Sequence, residues 1–246
     1  MDNHEFICLD CETTGLKTDT DRVLEIAVVR FRGAETLNEF ESLINPRCPI
    51  PEDSIAIHHI TQEMVKDKPT IDTVLPEILE MIGDRIIIGH NIHFDVNILL
   101  AEAKRAGISS RLNENQQIDT LRLARLYGGS PVNSLEELRK HFNIPMEGAH
   151  RAMNDVVVNV QLFSYLIKQF RTLKQLFSTL EHPILLKNMP LGKYKGRKFE
   201  DIPLDYLRWA VRLDFDQDLI HSLRTEINRR KTGRSFSHAG NPFADL

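Results

Sequence analysis

Residues Phe6 to Leu9 form an unbroken apolar run, and Asp10 and Glu12 stand at its end, with Thr13-Thr14-Gly15 closing the stretch. The run reads as a buried strand leading into a turn. Side chains alternate along a strand with period two, so the two carboxylates point to one side. Neighbouring carboxylates at the end of a buried strand repel each other and resist losing water. A divalent cation removes both costs, and hard oxygen donors of this kind suit Mg²⁺ or Mn²⁺. Taken alone, Asp-x-Glu fits a polar strand end beside a turn just as well.

The chain around this stretch changes character once. Residues 23–31 and 36–44 read as two further strands with Gly33 in the turn between them, and short connections make the three an antiparallel meander. After Pro49 and Pro51, helical patterns fall at 54–58, 61–65 and 71–82. Residues 85–90 read as a short buried strand, and 94–106 as an amphipathic helix capped by Gly107. A strand at 117–119 enters a helix at 121–126. Ser134 as N-cap, answered by Glu137, opens a helix to about Phe142, and a long helix spans 152–170. Antiparallel strands followed by alternating strands and helices give an α/β mixed sheet flanked by helices.

Two more stretches add chemistry. Gly89-His90-Asn91-Ile92-His93-Phe94-Asp95 places a third carboxylate, Asp95, near a strand's end and a helix's beginning. Strand ends are where α/β proteins assemble sites, although an acid there also simply meets the helix dipole. Residues 148–155 supply His150 and Asp155. Five positions along one helix set side chains about 140° apart. If both serve one site, His150 sits on the loop before the helix and Asp155 inside it.

These stretches, in this order, resemble the DnaQ-like 3′→5′ exonucleases, whose motifs Asp-x-Glu-Thr-Thr-Gly, His-Asn-x-x-Phe-Asp and His-x4-Asp match residues 10–15, 90–95 and 150–155. Residues 57–61 and 118–120 are similar to the family's His-Gly-Ile-Thr and Asp-Thr elements, with His59 where the family usually has glycine. The resemblance covers about residues 4–170. It implies a ribonuclease H-like fold and a metal-dependent exonuclease that releases nucleoside 5′-monophosphates from 3′ ends. Asp10, Glu12, Asp95 and Asp155 are then the ligands of two divalent ions, Mg²⁺ or Mn²⁺, and His150 is the base that takes the proton of the attacking water. Thr13, Thr14, Gly15, Leu16, His58, Asn91 and Phe94 become the expected contacts to the terminal nucleotides, and Asp119 a structural residue. The implied partner is a nucleic acid with a free 3′ end, DNA favoured over RNA, with a DNA polymerase on a separate chain as a further partner. RNA 3′-end trimming, or a nucleic-acid-binding and polymerase-tethering module, are the competing readings.

The net charge of −4 conceals an asymmetry: residues from Pro183 onward carry +4 and the rest −8. We expect a domain at 1–175, a linker at 176–186, a small α+β domain at 187–231 and a tail at 232–246. The small domain resembles one of unknown activity attached to exonucleases of this family. Its stretch 189–199 is basic, aromatic and glycine-punctuated, which suggests a hairpin, with helices near 205–213 and 218–230. Lys193, Tyr194, Lys195, Arg197 and Lys198 suit a grip on phosphates and bases; they equally suit a solvated hairpin whose Tyr194 and Phe199 pack on the helices. Cys8, Cys11 and Cys48 make no disulfide framework, and C-x-x-C spacing along a strand puts Cys8 and Cys11 on opposite faces as core thiols. No apolar run approaches the roughly 20 residues of a membrane span, so the expectation is a soluble, cytoplasmic protein.

Overall fold

The computed structural model describes residues 4–130, 132–145 and 151–236. Two compact units divide it: the first runs to Phe177, apart from the loop segment 131–133, and the second begins at Ser178.

In the first unit five strands form one sheet: β1 (Glu5–Thr13), β2 (Val23–Arg32), β3 (Glu35–Leu43), β4 (Ile86–Gly89) and β5 (Gln117–Asp119). Their order is β3-β2-β1-β4-β5. The first three are antiparallel neighbours, while β4 and β5 run parallel to β1. This is the expected meander extended by parallel strands, a ribonuclease H-like mixed sheet. Its helices are α1 (Glu52–His58), α2 (Gln62–Val65), α3 (Ile71–Ile82), α4 (Ile92–Ala106), α5 (Thr120–Tyr127), α6 (Leu135–His141) and α7 (Ala152–Leu166).

The central strand distributes its side chains by parity. Ile7, Leu9 and Cys11 join the core built with α3 and α4, among Ile78, Ile82, Val96 and Leu99. Phe6 and Cys8 face α7: the Phe6 ring meets Phe163 edge-on with centroids 5.3 Å apart, and the Cys8 thiol lies 3.8 Å from the Val156 carbonyl. Period two then carries Asp10 and Glu12 onto the α7 side as well. Cys8 and Cys11 are buried, free thiols.

The turn from β4 into α4 depends on its backbone. A Cβ at Gly89 would come within 2.5 Å of the Ile92 Cδ1, so only glycine fits there. Asn91 adopts a left-handed φ of 67° and donates its N–H to Asp119 Oδ1 at 2.9 Å. The same Asp119 oxygen accepts Leu121 N–H at 2.9 Å, capping α5, a structural role. His59, in the family's glycine position, has φ 60° and ends α1. That explains why glycine is usual there, since few side chains tolerate this conformation.

Several local expectations need correction. Ser134 precedes α6 with extended backbone, but its side chain makes no capping hydrogen bond, and Glu137 pairs instead with Lys140 at 2.9 Å. The last long helix of the first unit stops at Leu166, where a 3₁₀ turn (Ile167–Gln169) leads to an extended Phe170. Helix α8 (Leu173–Leu180) was not anticipated and runs into the stretch expected as linker.

In the second unit, 3₁₀ turns at Gly192–Tyr194 and Phe199–Asp201 and one antiparallel bridge, Asn188 to Lys198, replace the expected hairpin. Gly192 and Gly196, both at positive φ, turn the chain between these segments. Helices α9 (Leu204–Ala210) and α10 (Gln217–Phe236) bury Leu207, Ala210, Leu219, Leu223 and Ile227 against Met189, Phe199 and Ile202. Helix α10 continues into the stretch expected as tail, of which 237–246 lie outside the described residues. No helix among the described residues is long and apolar enough to cross a membrane.

Candidate active site

Strand β1 delivers Asp10 and Glu12 to the first turn of α7, which carries Asp155. One carboxylate oxygen from each of the three lies within 4.8 Å of the others, and all three side chains are half-buried. They open on a cavity of about 300 Å³ shared with His90, Ser134, Glu136, Arg139 and Val158.

Asp95 does not join this triple. It is buried in the first turn of α4, and its Oδ1 accepts the Cys11 N–H at 2.9 Å, between the two β1 carboxylates. His150 lies outside the described residues.

The electrostatic state matches a site built for cations. Burial raises Asp10 well above the usual carboxylate range, and the charges of Asp95, Asp155 and Glu12 push it further. Burial, then Asp155 and Glu25, raise Glu12 to about 7, against the opposing pull of Arg151. Burial raises Asp95 to about 8, opposed by the amides of Cys11 and of Asp95 itself. Clustered carboxylates of this kind are hard donors whose repulsion a divalent ion relieves, so the residues present fit the implied metal.

None of the seven residues expected to contact nucleotides lines that cavity. Thr13 ends β1, and Thr14 and Gly15 after it are held in place. Asp21 accepts the Thr14 hydroxyl at 2.9 Å and the Lys17 N–H at 2.7 Å, and a Cβ at Gly15 would stand 2.7 Å from the Asp21 carboxylate. The Ser54 hydroxyl ties α1 to the Thr14 carbonyl at 2.7 Å. Leu16 projects from this stretch with 85% of its surface exposed. His58 is buried; its Nδ1 accepts the Ile60 N–H at 3.0 Å, which leaves the proton on the buried Nε2, and burial lowers its pKa against the opposing pull of the Thr13 backbone. Asn91 is exposed, and Phe94 packs partly against the core.

Three residues near the cluster were not singled out from the sequence. Glu25 lies opposite Glu12 in the β1–β2 register and is completely buried. It takes Arg151 through two nitrogens and accepts the Ala152 N–H at 3.0 Å, holding the N-terminus of α7 to β2. No local pattern marks it, because only strand register brings it here. Arg139 lines the cavity; its Nη1 reaches the Ile144 carbonyl at 3.4 Å, and its buried Nε has no hydrogen-bond partner among the described residues. His90 also lines the cavity, with Nδ1 3.1 Å from the Thr120 hydroxyl; its place in the His-Asn motif was the available signal.

A sequence profile of the family described as Exonuclease matches residues 7–163, from the first strand into α7. The chain belongs to the DnaQ-like 3′→5′ exonuclease family. Among relatives within and around it, the DNA polymerase III subunit epsilon of Aquifex aeolicus is 32% identical over 165 residues, covering 67% of this chain and 81% of that protein. A PolC-type DNA polymerase III of Caldanaerobacter subterraneus is 31% identical over 194 residues, 76% of this chain; the chain spans only 14% of that relative's length. Among solved structures, exonuclease X in complex with 5′-overhanging duplex DNA aligns with a TM-score of 0.56 at 28% identity, over 70% of this chain and 96% of that one. E. coli exonuclease I with a dA16 oligonucleotide shares the fold, with a TM-score of 0.63 at 21% identity over 73% of this chain and 43% of that one. A second profile, described as a putative quorum-sensing-regulated virulence factor, matches residues 179–225.

Proposed function

We propose that this exonuclease-family hydrolase trims nucleic acids from the 3′ end and releases nucleoside 5′-monophosphates, with DNA as its polymer. The observation that carries this reading is the convergence of Asp10, Glu12 and Asp155 within 4.8 Å at one end of the central strand. Asp10, Glu12 and Asp155 would hold divalent ions, Mg²⁺ in our reading, and Asp95 would support a second ion from beside Asp10. Such ions supply charge neutralisation on the phosphoryl group and on the leaving 3′ oxygen.

The chain's own groups do the rest. His150 takes the proton of the attacking water, a task suited to a group titrating near neutrality. The clamp of Glu25 on Arg151 anchors the backbone one residue after that imidazole. Arg139, which lines the cavity, would turn its guanidinium to a phosphate oxygen, and His58, buried beside the Thr13 backbone, would border the terminal nucleotide. The Thr13–Gly15 stretch would border the 3′ hydroxyl, with the Thr14 N–H already given to the Arg22 carbonyl at 2.9 Å, and exposed Leu16 wedges against the last base. An aliphatic wedge is indifferent to sequence, as a trimming enzyme requires.

The DNA complex of exonuclease X supports DNA over RNA, and the epsilon relative, a subunit of DNA polymerase III, supports work beside a DNA polymerase on another chain, in the cytoplasm. The deciding experiment follows 5′-labelled single strands of DNA and of RNA, identical in sequence, with Mg²⁺. A ladder shortening from the 3′ end with mononucleotide products, faster on DNA, is the expected result. A faster RNA ladder would reassign the polymer, and short labelled products that appear without the intermediate lengths would mean internal cutting and exclude trimming from the 3′ end.

A further inference from the structure

The second unit carries an aromatic ladder that runs from its core out to the exposed Trp209. Tyr194 and Tyr206 meet edge-on with centroids 4.6 Å apart, and Tyr206 and Trp209 follow at 5.2 Å, tilted by 48°. Tyr206 and Trp209 stand three positions apart on α9 and so share a face. The tyrosines are partly buried against the core, which fixes them, whereas Trp209 lies outside that core and is 53% exposed. The part of the Trp209 ring left in water, although it lies between the buried Leu207 and Ala210, adds nothing to the core.

Cations continue the ladder. The Lys193 ammonium lies 5.6 Å and the Arg197 guanidinium 5.7 Å from the Tyr194 ring centroid. Nearby acids are already matched: Glu200 by Lys198 at 3.6 Å and Asp205 by Arg208 at 3.5 Å. Lys193, Lys195 and Arg197 are exposed and form no ion pair among the described residues. The turn that carries them is laid against the ladder, since a Cβ at Gly192 would come within 2.9 Å of the Tyr206 hydroxyl.

The geometry points to a second nucleic-acid site in this unit, separate from the carboxylate cluster: a platform for an unpaired strand, with bases on Trp209 and Tyr206 and phosphates on Lys193 and Arg197. Stacking on an open aromatic face accepts any base and needs bases that are not paired, while cations in line with it track the backbone. A duplex hides its base faces and would meet only the cations.

Trp209 is the chain's single tryptophan, so it reports its own occupancy. The test uses the full chain in EDTA, where turnover stops and the metal-free carboxylates repel phosphate. Oligothymidylate, oligouridylate and a blunt duplex are titrated, following tryptophan fluorescence and the anisotropy of a labelled strand. The expected result is quenching by both single strands and weaker binding of the duplex. Trp209→Leu should weaken single-strand binding roughly 5- to 150-fold while Trp209→Phe retains most of it. Lys193→Gln and Arg197→Gln should each reduce the salt dependence by about 0.7 in the slope of log K against log salt. Unquenched tryptophan at saturation, full affinity in Trp209→Leu, or equal binding of the duplex would each overturn the proposal.

Discussion

Arg151 grips the buried carboxylate of Glu25 through two nitrogens, Nε at 2.9 Å and Nη2 at 2.6 Å, and so fastens the start of α7 to β2. Asp155 lies four residues further on, in the first turn of the same helix. The position of one cluster carboxylate is thereby set by an ion pair outside the cluster.

Glu25→Gln should therefore destabilise the protein by about 2–4 kcal/mol, because Arg151 loses its closest countercharge and keeps only the more distant Glu41, at 3.9 Å. Arg151 remains partly hydrated, which holds the cost below that of a fully buried pair. Urea unfolding of the metal-free proteins measures it, and a change near zero would remove Glu25 from the support of α7.

Stability of the metal-free protein should fall as pH rises. Glu12 and Asp95 stand at about 7 and about 8 in the folded chain, against ordinary values of 4.5 and 3.8. Below about pH 4 both states hold these protons; above it the unfolded chain releases them first, so folding takes protons up and is weakened until about pH 8. Thermal unfolding in EDTA across this window should show the melting temperature falling, with Mg²⁺ restoring more at the alkaline end. A melting temperature that rises with pH in EDTA contradicts the raised carboxylates.

Arg139→Gln should lower kcat/KM on an oligonucleotide by a factor of about 10–100, the range of one charge-assisted hydrogen bond, with Arg139→Lys intermediate. Inhibition by the product mononucleotide should weaken in parallel. If product inhibition is unchanged, Arg139 does not meet the phosphate.

His150→Ala should slow turnover by roughly 10²–10⁴ while metal binding, followed by calorimetry, is retained. Undiminished turnover would remove His150 from the proton transfer.

Much of this arrangement was legible because the periodicity of a strand is strict. Period two along β1 fixed Asp10 and Glu12 on one face, with Cys8 and Cys11 on opposite faces. What escaped depends on contacts made at a distance. Glu25 looks like any acid in a strand until register sets it opposite Glu12. Arg139 looks like any exposed helix cation until α6 borders the cavity. The Ser134–Glu137 capping pair satisfies a local pattern, but Lys140 competes for the acid. In the second unit the basic, aromatic composition of 189–199 was plain, while the ladder it completes needs Tyr206 and Trp209 from α9.

The most direct test of the proposed metal-dependent trimming compares wild type with Asp10→Ala on a 5′-labelled DNA strand, with Mg²⁺ and with EDTA. The account predicts a ladder shrinking from the 3′ end in wild type with Mg²⁺, lost in EDTA and lost in the variant at every Mg²⁺ concentration. Substantial cleavage by Asp10→Ala, or a ladder that persists in EDTA, would contradict it.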